Sequence, residues 1–130
     1  MVSLSISEYE ILSLLWSEER GLTAGEINSL SNEKSWKDLS IHLILTNMLE
    51  KGAIVVDGMV RSGRTYSRVF NAAITPEEYS LMQVTQNASA TKNKSAVITG
   101  LMSALIDGDN ISNEDIDKIE ELIKRKKKER

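Results

Sequence analysis

One change of hydrophobic period constrains this chain more than any other feature. Apolar residues fall at Ile41, Ile44, Leu45, Met48 and Leu49, the i, i+3, i+4, i+7, i+8 spacing of a single buried helix face. Past Gly52 the spacing turns strand-like. Ile54-Val55-Val56 and Thr65-Tyr66-Ser67-Arg68-Val69-Phe70 are rich in β-branched and aromatic residues. Between them Arg61-Ser62-Gly63-Arg64 carries a Ser-Gly turn signal, which predicts a β-hairpin with a basic tip. The helix is predicted to run from Trp36-Lys37-Asp38 to Gly52, stopped by Lys51 against the dipole and by a left-handed glycine.

Two shorter helices precede it. Ser7 and Glu10 have the spacing of a capping box. Tyr9, Leu12, Leu15 and Trp16 follow as a predicted buried stripe, and Gly21 suits a left-handed C-cap. Thr23 and Glu26 form a second box, with Leu22 placed to staple onto Ile27, and with Ile27 and Leu30 as the inner face. Three helices followed by a basic-tipped hairpin is the order of a winged helix-turn-helix, whose third helix enters the major groove while the hairpin flanks it.

Beyond the hairpin, Thr75 and Pro76 open another helix with Glu77 and Glu78 in its first turn. The polar stretch from Gln86 to Ser95 reads as a loop or hinge. Val97, Ile98, Leu101, Met102 and Leu105 make an apolar stripe ended by Gly108. A Ser112–Asp115 capping box then leads into Ile116, Ile119, Leu122 and Ile123. Little chain remains to cover these two stripes, and two copies packing together would do so. The Lys124–Arg130 run reads as a solvated helix end. The fold class is therefore mainly α with a small β-hairpin: a winged helix-turn-helix DNA-binding domain over residues 1–75, followed by helical dimerisation over 76–130.

Composition removes several classes of function. The 130 residues include no cysteine and one histidine, His42. That leaves no basis for disulfides, thiolate metal sites, a cysteine nucleophile or a histidine relay, and no metal or cofactor is expected. No apolar run approaches the roughly 20 residues of a membrane span, and the first residues lack a leader's basic and apolar regions, so a cytoplasmic protein is expected. The carboxylates sit at helix caps and on polar faces, with no spacing that points to catalysis or a small-molecule substrate. The net charge of −3 hides a segregation. Residues 1–33 hold one basic against six acidic groups, whereas 34–75 hold six basic against three acidic, a local excess of the kind that phosphate neutralisation needs.

From Trp36-Lys37-Asp38-Leu39-Ser40-Ile41 through Glu50-Lys51-Gly52-Ala53-Ile54 the chain resembles the penicillinase repressor family, the dimeric winged-helix repressors of β-lactamase and methicillin-resistance genes. The resemblance extends through Leu22-Thr23-Ala24-Gly25-Glu26-Ile27, Gly63-Arg64-Thr65-Tyr66 and Ser112-Asn113-Glu114-Asp115-Ile116, in the family's order from about Ile6 to Lys126. It implies a homodimer that binds a dyad-symmetric operator on double-stranded DNA and blocks transcription. It also implies release through cleavage by a membrane-embedded sensor protease. The copper-responsive relatives carry cysteine motifs that this chain lacks.

Where the family's recognition helix commonly offers a basic residue, a Thr and an Arg, this chain has Leu39, Leu43 and Asn47. Leu43 can meet a thymine methyl, Asn47 can pair with adenine, and His42 and Thr46 can reach base or phosphate oxygens. At the helix start Ser40 either donates to phosphate or makes a local backbone bond, and Lys37 meets either phosphate or solvent, while Arg61 and Arg64 at the hairpin tip can reach backbone or minor groove. Arg68 either joins them or covers apolar surface with its stem. Trp16 and Trp36 read as packing anchors. The near-neutral third helix leaves a second reading open, a winged-helix module that binds protein and has weak or lost DNA binding.

Overall fold

The computed structural model describes residues 3–108 and 110–129, with only the backbone of residues 88 and 89. Met1, Val2, Asp109 and Arg130 lie outside the described residues, so the readings that touch the first two positions and the end of the basic run do too. The chain divides into two compact units, Met1–Val84 and Thr85–Arg130.

In the first unit α1 (Ile6–Glu18) and α2 (Ala24–Leu30) lead to a 3-10 turn (Asp38–Ser40) that runs directly into α3 (Ile41–Lys51). Strands β1 (Ile54–Ser62) and β2 (Thr65–Ala72) follow. The strands pair antiparallel from Ile54 opposite Ala72 to Ser62 opposite Thr65. Gly63 and Arg64 therefore form a two-residue loop, and Gly63 takes φ 66 at its first position, as a tight hairpin turn that matches strand twist requires. Asp57 and Gly58 stand opposite Val69 alone as a β-bulge. Leu22 bridges the outer side of β2: its N–H donates to Phe70 O at 2.9 Å, and Phe70 N–H donates back to Leu22 O at 2.8 Å. This is a winged helix-turn-helix.

The core is the set of faces that helical spacing selects. Ile11, Leu12 and Leu15 of α1, Leu22, Ile27 of α2, and Ile41, Leu45 and Met48 of α3 meet Ile54 and Phe70 of the hairpin, all buried. Trp36 closes this core, and its Nε1–H donates to Asn28 Oδ1 at 2.8 Å. Trp16 anchors the other end, donating to Ile74 O at 2.8 Å, and packs with Tyr9 and Tyr79 in an aromatic cluster. Both tryptophans are thus packing anchors.

Several local expectations are corrected. The box that starts α1 is Ser5–Glu8 rather than Ser7–Glu10: Ser5 Oγ accepts from Glu8 N–H, and Glu8 Oε1 accepts from Ser5 N–H at 2.8 Å. Glu10 instead accepts from the N–H and hydroxyl of Ser35. The left-handed residue ending α1 is Glu19, at φ 56, not Gly21. Gly21 is needed for close approach, since a Cβ there would run into Val69 Cγ1. Tyr9 and Leu30 are substantially exposed, so neither belongs to the buried stripes drawn for them. The third helix begins as a 3-10 turn, and regular α geometry starts only at Ile41.

In the same unit Glu8 is the one buried charged residue among those described, and Lys51 Nζ donates to it from the end of α3 and to Ser3 O at 2.9 Å. Burial alone pushes the Glu8 carboxyl up. The Lys51 hydrogen bond, the Ser5 N–H, the Lys51 charge and the Ser5 side chain together outweigh burial and hold the carboxyl below its ordinary value. Lys51 therefore ties α3 to α1 as well as standing in the last turn of α3, where a cation complements the dipole.

Helix α4 (Pro76–Ala90) starts on a Thr75–Glu78 capping box and spans the division between the units. The expected loop from Gln86 to Ser95 is mostly helical: α4 continues to Ala90 and α5 (Lys94–Asp107) begins at Lys94, capped by Asn93. The second unit ends in α6 (Asn113–Lys128), which opens on the expected Ser112–Asp115 box.

Candidate nucleic-acid interface

Packing decides which face α3 shows to solvent. Ile41, Leu45 and Met48 are buried and Ile44 and Leu49 half-buried, so His42, Leu43, Thr46 and Asn47 must point away from the core. All four are exposed, as are Lys37 and Ser40 at the entrance. One side chain sets how α2 meets that entrance. Asn28 accepts from the Trp36 indole and donates from Nδ2 to Asp38 O at 3.2 Å, so the 3-10 turn is held to α2 on both sides of the connection.

The exposed face is ready to bond outward. Thr46 Oγ1 donates to His42 O at 2.8 Å, which leaves the hydroxyl oxygen free to accept. The Asn47 amide has no hydrogen-bond partner among the described residues, so its donor and acceptor both remain open. Leu39 and Leu43 are 95% and 66% exposed.

The hairpin supplies the cations. At its tip Arg61 Nε donates to Gly63 O at 3.1 Å, which folds the side chain along the turn, and Arg64 is exposed beside it. Arg68 lies with its guanidinium carbon 5.1 Å from the centre of the Phe70 ring, so it covers apolar surface as a stem-packed arginine does. That position also puts it on a groove of about 420 Å³ shared with His42, Leu39 and Tyr66, bounded by Ala24 and Gly25 of α2. The fold thus joins His42 and Arg68 in one groove and holds Arg61 and Arg64 at the tip. Leu39 and Tyr66 belong to this surface although neither is in the expected set. The sequence carries a signal for Leu39, which precedes Leu43 by four residues, whereas Tyr66 is placed only by the strand register that sets it opposite Arg61.

Electrostatics sharpens the set further. Of the six cations between residues 34 and 75, Lys34 pairs with Asp38 at 2.9 Å and Lys51 pairs with Glu8. The remaining four are Lys37, Arg61, Arg64 and Arg68, and none has a carboxylate partner among the described residues. They are the four cations that the sequence singles out. The Lys34 pair also neutralises Asp38, the one acidic group at the start of α3. Glu26, on α2, is held below its ordinary value by the Thr23 N–H and by Arg20, so it is occupied within its own cap.

In the second unit the single chain leaves its apolar stripes uncovered. Ile98, Leu101, Leu105, Leu122 and Ile123 are exposed, Val97, Met102, Ile116 and Ile119 are half-buried, and no residue of α5 or α6 is buried among those described. No cluster of three or more potential metal ligands occurs among the described residues, and no helix there is long and apolar enough to cross a membrane.

Residues 4–125 match the family described as Penicillinase repressor. No curated relative matches the chain. The structure of Staphylococcus aureus MarR in complex with salicylate and kanamycin is similar over 94% of this chain and 70% of that one, at 15% identity and a TM-score of 0.42, too distant to bear on the site.

Proposed function

The chain belongs to the penicillinase repressor family and so to the transcriptional regulators that bind DNA, and from that premise we propose that it is a homodimeric repressor of a dyad-symmetric operator. Helix α3 lies in the major groove, with Lys37 and Ser40 on phosphate and His42, Leu43, Thr46 and Asn47 toward base edges. Arg61, Arg64 and Arg68 contact the flanking backbone. Residues 1–75 bind DNA. Helices α5 and α6, within 76–130, join two copies through their exposed stripes, so that two α3 helices meet half-sites an integral number of helical turns apart. Relief of repression follows cleavage of the chain under a membrane-embedded sensor protease.

The observation that carries this reading is the pairing pattern. Every described cation between residues 34 and 75 that lacks an internal carboxylate lies at the entrance of α3 or on the hairpin. Nuclease footprinting on DNA upstream of the protein's own gene tests it. A protected tract with two-fold sequence symmetry is expected, and uniform cleavage at saturating protein would contradict it. The exposed Leu39 and Leu43 favour one competing reading, a winged-helix module that binds a protein partner. Such a module would leave the footprint blank.

A further inference from the structure

The outward surface where the 3-10 turn runs into α3 is apolar. Leu39 in the 3-10 turn and Leu43 in the first turn of α3 stand four residues apart and are both exposed, and His42, Thr46 and Asn47 are exposed around Leu43. At 95% exposure Leu39 gives almost nothing to the core, and Leu43 at 66% gives little. The surroundings of the pair decide what can cover them. Lys37 precedes them without an ion pair, Arg68 shares the Leu39 groove, and the Asn47 amide is open. A protein partner seated on the leucines would have to desolvate those cations and that amide as well. A duplex offers phosphates to the cations and adenine's N6/N7 edge to the amide. Its major groove has one apolar feature, the C5-methyl group of thymine.

We propose that Leu39 and Leu43 are a specificity-determining pair that seats on thymine methyl groups, selecting thymine at the base pairs beneath the start of α3. The proposal rests on the DNA-binding reading above and names what that reading recognises. Four residues that run from the 3-10 turn into α3 advance about 6–8 Å, close to two base-pair rises of about 3.4 Å. The two side chains therefore fall on different base pairs and read separate methyl groups. Neither leucine adds charge, so the salt dependence of binding stays with the lysine and the arginines while the leucines carry selectivity.

The test uses the full chain and a library of duplexes with a randomised centre. Bound duplexes are selected and sequenced, and the selected duplex is remade with deoxyuridine in place of thymidine one position at a time, which removes only the C5-methyl. The wild-type protein is expected to bind about fourfold more weakly at each methyl read by a leucine, the worth of about one buried methylene. Leu39→Ala and Leu43→Ala, both at exposed positions and checked for folding by circular dichroism, should each lose a similar factor on the thymidine duplex. Each should also become indifferent to deoxyuridine at its own position. If selective binding persists but deoxyuridine costs nothing anywhere, the inference is overturned while the DNA reading stands. A uridine penalty that survives in both alanine variants overturns it too, since another group then senses the methyl. If the library yields no enriched duplex at low salt, the DNA reading fails and takes the inference with it, leaving the leucines to a protein partner.

Discussion

Glu8 and Lys51 show how much of this structure depends on single residues that sequence spacing cannot connect. Ser5–Glu8 and Ser7–Glu10 both have capping-box spacing, and nothing local separates them. The choice falls to Ser5–Glu8, and the same Glu8 carboxylate meets Lys51, 43 residues away in sequence. Removing that cation should be costly. Lys51→Met leaves a carboxylate buried without its charge partner, and because Lys51 keeps 37% of its side chain exposed, the loss should be about 2 kcal/mol, below that of a fully buried pair. Urea denaturation measures it, and an unchanged midpoint would refute the tie. Because the folded Glu8 sits below its ordinary value of 4.5, the unfolded chain binds more protons in the acid range. Stability contributed by this pair is therefore full above the unfolded value and declines as pH falls through the lower, folded one. Lys51→Met should flatten that acid decline.

Gly21 teaches a related lesson. Its place after a helix resembles a C-cap signal, yet its role is steric clearance for Val69 on β2, which no local reading of the chain can reveal. Gly21→Ala should destabilise by about 1–3 kcal/mol through overpacking, seen as a lower denaturation midpoint. A neutral substitution would show that the strand can move aside.

At the scale of elements, α3 and the hairpin are legible because their hydrophobic periods differ sharply and Gly52 separates them. The structure keeps that boundary, with Gly52 left-handed at φ 77. The segment from Gln86 to Ser95 is not legible, because its polar composition suits a loop and a solvated helix equally. Polar residues on the solvent side of a helix lose little there, and only residues 91–93 fall between α4 and α5. The candidate interface is legible in its charges, since the cations at issue are those the fold leaves unpaired. It is not legible in its groove, because the groove brings Asn28, Leu39 and His42 together with Arg68 and Phe70 of the hairpin, which stand far along the chain from them. Two substitutions separate the roles within it. Arg64→Ala should weaken binding to all duplexes alike and reduce the log–log salt slope by about 0.9 for each phosphate it no longer neutralises. Asn47→Ala should instead relax preference at one base position and leave the slope alone. Anisotropy titrations at several salt concentrations distinguish them, and an unchanged slope in Arg64→Ala would remove the hairpin tip from the interface.

At the scale of the whole molecule, the first unit encloses a core of its own while the second buries none of its described helix residues. Leu101, Leu105, Leu122 and Ile123 leave apolar surface of the kind that a second copy covers. Light scattering at micromolar concentration should therefore report a dimer, and a monomer would refute the proposed role of α5 and α6. Dimerisation alone does not make a repressor, however; α3 and the hairpin must also bind a particular DNA sequence. The most direct test is fluorescence anisotropy on a labelled duplex from upstream of the protein's own gene, against a scrambled duplex of equal length, at two salt concentrations. Tighter binding to the upstream duplex and a marked loss of affinity at the higher salt are expected. Equal or absent binding to both duplexes at low salt would contradict sequence-specific binding.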